Sequence, residues 1–332
     1  MTPSLDVDLT VRLGPLVLAH PLINASGTLD LFETADSLGA GRGEQLLQDP
    51  PVAAYVPKTV TLDPRRGNPP PRVVETPAGM LNSIGLPNAG LEAFVERDLD
   101  RILALPRPVI FNLGGFAPEE FALGTERLRL ALEQRLGSPR AVWEKAGLEL
   151  NVSCPNVHSG CMQIGASADE TEATVRGVAA VWEGLLAVKL TPNVTDAVPV
   201  AQAAVEAGAT AISLVNTFKG LVLDRLTLSP YLGGITGGLS GPAIKPLALR
   251  FCWEVAAAVD VPIIGMGGVA SVEDVVDYLA VGASAVAVGA SAFRDPWLYA
   301  RLARELESEL AHRGSTLADL TGCAHRGGVV GL

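Results

Sequence analysis

The sequence has little of what several common protein classes require. Lys and Arg number 25 against 36 Asp and Glu, a net charge of −11, so the basic surface that nucleic-acid binding needs is lacking. The four cysteines of the 332 residues form no CxxC pair, which excludes a disulfide framework and gives no indication of a metal site. The uncharged stretch 226–244 contains five Gly and two Pro, so it does not resemble a membrane span. We therefore expect a cytoplasmic protein without nucleic-acid or membrane partners.

Eight short apolar runs alternate along the chain with longer segments of helical period. Near-continuous hydrophobic strands are typical of a parallel sheet that is covered on both faces. Eight such units favour an α/β fold, a single (β/α)8 TIM barrel domain over residues 1–332. The predicted strands are 19–26, 52–60, 108–115, 147–153, 184–191, 208–217, 261–268 and 282–291. The predicted helices include 91–105, 118–135, 168–182, 196–207, 244–259 and 272–280.

Three segments fall outside this alternation. Residues LTVRLGPLVL predict an N-terminal hairpin about Gly14 and Pro15 that closes the bottom of the barrel. The stretches 61–90 and 218–241 are too long for ordinary barrel loops and follow predicted strands. Because barrel active sites lie at the carboxyl ends of the strands, we expect these inserted loops to cover a site at that face.

Polar side chains stand at the carboxyl ends of the predicted strands. A buried strand that ends in Lys or Asn is costly unless those groups meet a partner, and in a barrel all eight ends meet at one mouth. These residues are Asn24, Ser26, Lys58, Thr59, Asn112, Asn151, Ser153, Cys154, Asn156, Lys189, Asn216 and Thr217. We interpret them as one shared site.

Glycine-rich turns follow the predicted strands six to eight. GMGG (265–268) and VGAS (288–291) each lead into a helix, which is where barrels bind phosphate, and GGLSGPAI (237–244) is a third such turn. No GxGxxG with a following acidic residue is present, so an ordinary dinucleotide domain is not supported. The turns favour a phosphorylated cofactor.

Two lysines at strand ends require anionic partners. Lys58 and Lys189 could face a carboxylated substrate or a reduced flavin, whose ring is anionic. Lysine at such a position also forms Schiff bases in barrel aldolases, and Lys189 is the candidate for that alternative chemistry.

The densest motif is NVSCPN (151–156), in which Cys154 follows a strand directly. A thiol with an ordinary pKa of about 8.5 can take a proton from carbon near neutral pH after a small shift. The flanking Asn151 and Asn156 offer amide donors and acceptors for a planar polar ring. Cys161, Cys252 and Cys323 have no comparable setting.

Together these motifs resemble the class 1 dihydroorotate dehydrogenases. The combination of GMLNSIGLPNAG (79–90) with ELNVSCPN (149–156) is the specific part. Further family-like blocks run through most of the chain: NASG (24–27), KTVT (58–61), PRVVET (71–76), LVNT (214–217), GGLSGPAIKP (237–246) and VGAS (288–291).

The resemblance implies an FMN enzyme that oxidises dihydroorotate to orotate in pyrimidine biosynthesis. In this family pattern Cys154 takes the C5 proton, and hydride passes from C6 to flavin N5. The implied orotate-binding residues are Lys58, Asn82, Ser83, Ile84, Gly85, Leu86, Asn151, Asn156, Asn216 and Thr217. The implied FMN-binding residues are Ser26, Lys58, Thr59, Asn112, Asn151, Lys189, Val215, Gly241, Gly267, Gly268, Gly289 and Ala290.

Within the class, the chain looks most like the catalytic subunit of the NAD-linked class 1B. That form implies a partner subunit with FAD and a 2Fe–2S cluster, hence a homodimer or a heterotetramer. Residues VHSGCMQIG (157–165) and Ala290 depart from the class 1B pattern, so the fumarate-using class 1A stays open. Two further hypotheses are an FMN-dependent oxidoreductase of another dihydropyrimidine and a non-catalytic flavin-binding subunit.

Overall fold

A computed structural model describes residues 7–153 and 164–328. Cys154 and Asn156 lie outside these residues. The strands are β1 (Val11–Leu13), β2 (Leu16–Leu18), β3 (Leu22–Asn24), β4 (Val60–Thr61), β5 (Val73–Thr76), β6 (Gly79–Asn82), β7 (Val109–Gly114), β8 (Ala146–Asn151), β9 (Leu186–Lys189), β10 (Ala211–Leu214), β11 (Phe218–Gly220), β12 (Gly237–Ser240), β13 (Ile263–Met266) and β14 (Ala285–Val288). The α-helices are α1 (Leu31–Leu38), α2 (Arg42–Gln48), α3 (Leu91–Arg97), α4 (Leu99–Leu103), α5 (Pro118–Leu136), α6 (Pro139–Lys145), α7 (Ala168–Ala179), α8 (Val198–Glu206), α9 (Lys245–Ala256), α10 (Val272–Ala280), α11 (Leu298–Arg313) and α12 (Leu317–Leu320).

The main sheet has eight parallel strands in the order β3-β14-β13-β10-β9-β8-β7-β4. The long strands β7 and β8 are buried along their whole length, as expected where helices cover the outside and side chains fill the inside. The predicted α/β barrel is confirmed, and each strand falls in or beside its predicted range.

The gap between β3 and β7 is closed by residues 52–56. The Ala53 N–H donates to Leu22 O, and Tyr55 exchanges backbone hydrogen bonds with the start of β7. The buried Asn24 side chain binds both backbone groups of Val56: its Oδ1 accepts from the N–H at 2.8 Å, and its Nδ2 donates to the carbonyl at 2.7 Å. The Asn24 side chain thus replaces two of the backbone hydrogen bonds that a regular pair of strands would make.

Replacing Asn24 with alanine is expected to lower the free energy of unfolding by about 2–4 kcal/mol. Both backbone groups of Val56 would lose their partner while buried, at about 1–3 kcal/mol each. Urea denaturation measures the loss. Ser37→Ala, which removes an exposed helix hydroxyl, is the control and should stay within about 0.5 kcal/mol. A loss for Asn24→Ala no larger than that of the control contradicts the closing role.

The N-terminal hairpin forms as predicted, with β1 and β2 antiparallel. Leu13, Leu16 and Leu18 are fully buried. Leu16 packs against Gly147, at the amino end of β8: a Cβ added to Gly147 would lie 3.2 Å from Cδ1 of Leu16. Gly14 lies beside Leu185, directly before β9: a Cβ added to Gly14 would lie 3.8 Å from Cα of Leu185. The hairpin therefore covers the bottom of the barrel, opposite the predicted site.

The two long insertions, expected as loops, instead form a second sheet. Strands β11, β12, β6 and β5 pair in that order and antiparallel, so that 61–90 and 218–241 meet. Gly238 lets β12 pass close to the strand end at Thr217, since a Cβ at Gly238 would lie 1.8 Å from Thr217 Oγ1. The pairing joins Asn82 with Gly238, far apart in sequence, which is why local patterns did not predict it.

Within the described part of the chain, no helix is long and apolar enough to cross a membrane.

Candidate functional site

A large cavity lies at the carboxyl ends of the barrel strands, with the second sheet on one side. Its lining contains most of the residues predicted to bind substrate or cofactor: Ser26, Lys58, Thr59, Asn82, Ile84, Gly85, Leu86, Asn151, Lys189, Val215, Asn216, Thr217, Gly241, Gly267, Gly268, Gly289 and Ala290. Residues from nearly every barrel strand end thus meet at one place, because parallel strands direct their carboxyl ends to the same mouth.

Six predicted site residues are not part of this lining. Asn24 is fully buried, because its side chain binds the backbone of Val56. Ser153 is fully buried where it bonds to Asn151 and Asn216. Ser83 is fully buried and its Oγ accepts a hydrogen bond from Asn68 Nδ2 at 3.1 Å. Asn112 is 1% exposed and contacts Glu149 inside the barrel. Cys154 and Asn156 lie outside the described residues, so their placement rests on the sequence alone.

The cavity lining also contains residues that were not individually predicted to bind substrate or cofactor, although several belong to the motifs quoted above. These residues are Ala25, Gly27, Thr28, Val73, Met80, Ser240, Ile244, Met266, Val269, Ala287, Ser291 and Phe293. Most are apolar or small, so their residue type by itself does not distinguish them from core. Val73, Met80 and Ser240 reach the cavity through the unpredicted second sheet.

The amide side chains at the cavity are held by a chain of hydrogen bonds. Asn151 Nδ2 donates to Thr59 Oγ1 at 3.0 Å, and Ser153 Oγ donates to Asn151 Oδ1 at 3.3 Å. Asn216 Nδ2 in turn donates to Ser153 Oγ at 2.9 Å. Neutral amides fixed in this way suit a planar ligand with carbonyl and N–H groups, because the site is ordered before the ligand arrives.

Lys58 brings a positive charge to the cavity. Partial burial lowers the pKa of its ammonium group, the Glu33 carboxylate raises it, and the Arg72 guanidinium lowers it. An anionic ligand beside Lys58 would relieve the cost of burying this charge. The arrangement therefore favours a ligand with a carboxylate or another anionic group.

The turn after β13 is built around two glycines. Gly267 and Gly268 have φ of +129° and +75°, which side chains other than glycine rarely adopt. A Cβ at Gly268 would lie 2.7 Å from Cβ of Lys245, at the start of α9. Lys245 forms ion pairs with Asp274 and Asp277, which hold in place the start of α9 that packs against the turn.

Tyr278 sets the direction of the peptide group between these glycines. Its hydroxyl donates to Gly267 O at 2.7 Å from behind the turn. Because C=O and N–H point oppositely in a trans peptide, the Gly268 N–H is directed away from the Tyr278 hydroxyl, and both glycines line the cavity. Burial raises the pKa of the Tyr278 phenol, so it stays a neutral donor.

A second hydrogen bond links this turn to the turn after β14. Ser291 Oγ donates to Val269 O at 2.7 Å, so the two glycine turns are held side by side. The short helix Ala290–Phe293 starts at Ala290 and adds N–H groups that its first turn leaves without backbone partners. Backbone groups in this arrangement are suited to bind a phosphate.

The sequence-family model described as "Dihydroorotate dehydrogenase" matches residues 9–310. The chain belongs to the dihydroorotate dehydrogenase family. The family predicted from NSIGL and NVSCPN is thereby confirmed.

Relatives of this family are similar to the chain over almost its full length. A protein of Trichlorobacter lovleyi is 41% identical over 94% of this chain and 96% of its own. One of Pelobacter propionicus is 42% identical over 95% and 98%, and one of Desulforudis audaxviator 41% over 98% and 100%. All three are named "Dihydroorotate dehydrogenase B (NAD(+)), catalytic subunit", so the predicted likeness to class 1B is confirmed.

Solved structures of the family support the fold. A crystal structure of DHODH in complex with ferulenol from Eimeria tenella superposes with a TM-score of 0.75 at 22% identity and covers 98% of this chain and 90% of that one. At this level of identity the similarity shows only that the two chains share a fold.

Proposed function

We propose that this member of the family oxidises dihydroorotate to orotate, with FMN and substrate held together in the cavity at the barrel mouth. The observation that carries the proposal is the lining itself: one cavity combines a lysine, fixed asparagine amides and two glycine turns. We further propose that the chain acts as one FMN-binding domain in pyrimidine biosynthesis in the cytoplasm.

The described residues fit FMN at both of its ends. Asn112 Oδ1 is buried and accepts no hydrogen bond from any described residue, which is costly unless a ligand donor approaches it. A flavin ring carries such an N–H group on its pyrimidine edge. At the other end, the turns at Gly267–Gly268 and Gly289–Ala290 offer backbone N–H groups to the phosphate.

The substrate residues are assigned by their chemistry. Lys58 and the turn from Asn82 to Leu86 would hold the carboxylate of dihydroorotate, while Asn151, Asn156, Asn216 and Thr217 would bind its carbonyl and N–H groups. Thr217 is held by the Asn216 Oδ1, which accepts its backbone N–H at 2.8 Å. These contacts keep the ring in one plane and one orientation, so that C5 and C6 always face the same groups.

In the reaction, Cys154 would take the C5 proton as its thiolate and become a thiol. When bound, FMN supplies the two-electron acceptor for the hydride that leaves C6. Lys189, at the end of β9, would stabilise the negative charge that hydride transfer adds at the cavity. Loss of the C5 proton and of the C6 hydride forms the C5–C6 double bond of orotate, so two electrons leave the substrate.

For reoxidation we propose the class 1B arrangement. A partner subunit with FAD and a 2Fe–2S cluster would pass the electrons to NAD, in a heterotetramer built on a homodimer of this chain. The basis is the name shared by the relatives above, which makes them catalytic subunits of an NAD-linked enzyme. Class 1A, with fumarate as the oxidant, is the alternative.

The test is anaerobic mixing of the purified, FMN-loaded chain with dihydroorotate while flavin absorbance is recorded. Bleaching is expected with dihydroorotate and absent with dihydrouracil, which lacks the carboxylate that Lys58 would bind. Bleaching by dihydrouracil alone would point to another dihydropyrimidine. No bleaching by either compound, with FMN bound, would contradict the proposed reaction. Reoxidation by NAD in the presence of the partner, and not by fumarate, separates class 1B from class 1A.

Tyr278→Phe is expected to weaken FMN binding by about 3- to 10-fold. The variant removes the hydrogen bond that orients the Gly267 carbonyl, and a neutral hydrogen bond contributes about 0.5–1.5 kcal/mol. Fluorescence titration of apoprotein with FMN measures the dissociation constant. Tyr55→Phe is the control, since Tyr55 is similarly buried but lies beside the start of β7 and, among the described residues, makes no hydrogen bond to the glycine turns. Equal affinities for wild type and Tyr278→Phe would contradict this orienting role.

A further inference from the structure

Glu149 is a carboxylate in the interior of the barrel. It lies on β8, two residues before Asn151, and is 3% exposed. Nothing in the proposed reaction uses it. A buried charge is stable only with hydrogen-bond or ion-pair partners, so the groups around Glu149 indicate its role.

Both carboxylate oxygens of Glu149 are occupied by donors from neighbouring strands. Asn112, its register partner on β7, donates from Nδ2 to Oε1. Ser213 on β10 donates from Oγ to Oε2 at 2.7 Å. The carboxylate is thereby fixed in place from two directions.

The countercharge of Glu149 is Lys189. Lys189 Nζ lies 3.9 Å from Glu149 Oε1, and the two side chains are 7% and 4% exposed. Lys189 lines the cavity, whereas Glu149 lies behind it in the barrel. A buried pair of this kind carries little net charge, so the carboxylate decides how much of the lysine's positive charge acts on the cavity.

We infer that Glu149 is a positioning residue that holds Lys189 in place and partly neutralises its positive charge. Glu149 thereby sets the relative affinity of the cavity for reduced and oxidised FMN. The inference rests on the proposed function for its ligand, while the pair itself stands on the contacts above. Reduced FMN carries one more negative charge on its ring than the oxidised form. A lysine without its carboxylate therefore favours the reduced form more strongly.

The experiment compares wild type with Glu149→Gln, Lys189→Met and the double variant. Gln keeps the shape of Glu, can accept from Asn112 and can donate to Ser213, so it removes the charge with little change in packing. Glu133→Gln is the control, because it removes a carboxylate paired with Arg129 on the outer helix α5. Urea unfolding is measured on FMN-free protein, and affinities are titrated anaerobically with oxidised and with reduced FMN.

In FMN-free protein, each single variant is expected to lower the urea midpoint because one buried charge is left alone. The double variant should lose less than the two losses added together. For FMN, Glu149→Gln is expected to raise the preference for the reduced form about tenfold, which corresponds to about 29.6 mV for a two-electron couple. Lys189→Met should shift the preference the other way, and Glu149→Gln should change it less than about threefold in that background.

Each contrary outcome has a definite meaning. Additive losses in the urea midpoint would show that Glu149 and Lys189 do not interact, and would overturn the inference. A non-additive midpoint with the same FMN preference in Glu149→Gln as in wild type and Glu133→Gln would overturn the tuning. If wild type binds neither form of FMN, the proposed function and the tuning both fail, and the unfolding data still decide the pair.

Discussion

Cys154→Ser should retain FMN and yet be reduced by dihydroorotate about 10²- to 10⁴-fold more slowly at neutral pH, the range that general-base catalysis contributes. A thiol with an ordinary pKa of about 8.5 has a measurable thiolate fraction near pH 7, whereas a serine hydroxyl has almost none without an activating partner. The measurement is anaerobic stopped-flow absorbance of the flavin as a function of pH.

The pH profile distinguishes a lost base from a damaged site. With Cys154, the rate should rise as the thiol ionises and then level off; with serine, it should stay low and keep rising at high pH. Cys323→Ser is the matched control, because Cys323 is a buried cysteine that does not line the cavity. Equal rates for Cys154→Ser and the control would remove Cys154 from the mechanism.

Gly268→Ala should raise the dissociation constant of FMN about 10- to 100-fold. A Cβ at this position would lie 2.7 Å from Lys245 Cβ and 2.9 Å from its backbone N, at a φ of +75°. The turn must therefore shift, and its N–H leaves the direction of the phosphate. A hydrogen bond to a charged group contributes about 1.5–3 kcal/mol, which gives the expected range.

Gly39→Ala separates this effect from backbone strain. Gly39 has nearly the same φ, +74°, but no heavy atom of the described residues lies within 4 Å of an added Cβ. Both variants should lose about 1–3 kcal/mol of unfolding free energy because side chains other than glycine's rarely adopt this positive φ, and Gly39→Ala should bind FMN normally. Comparable FMN affinity in the two variants would contradict the proposed phosphate turn.

Much of the barrel could be predicted from local pattern. Helix α10 begins and ends where the periodicity of 272–280 places it. The predicted strand 52–60 is shorter in the structure, where only Val60–Thr61 forms a ladder with β7. Pro57 explains the difference, since it has no N–H to donate and interrupts regular pairing. The predicted helix 91–105 is two helices, α3 and α4, which meet at Asp98.

Glu149 carries a sequence signal that the strand-end pattern does not capture. A carboxylate within an otherwise apolar strand is uncommon, and the period of two puts it on the same face as Asn151. Its partner could not be predicted, because Lys189 and Ser213 belong to other strands whose register only the sheet defines.

The order of residues was enough to predict the eight-strand alternation, the family and the kinds of side chain at the strand ends. Each depends on residues that are neighbours in the chain or on a motif confined to one segment. The second sheet, the pairing of Glu149 with Lys189 and the contact of Tyr278 with Gly267 emerge only in the folded structure. These contacts join residues from different elements, and their distances follow from how the strands close and the helices pack, which local periodicity does not contain.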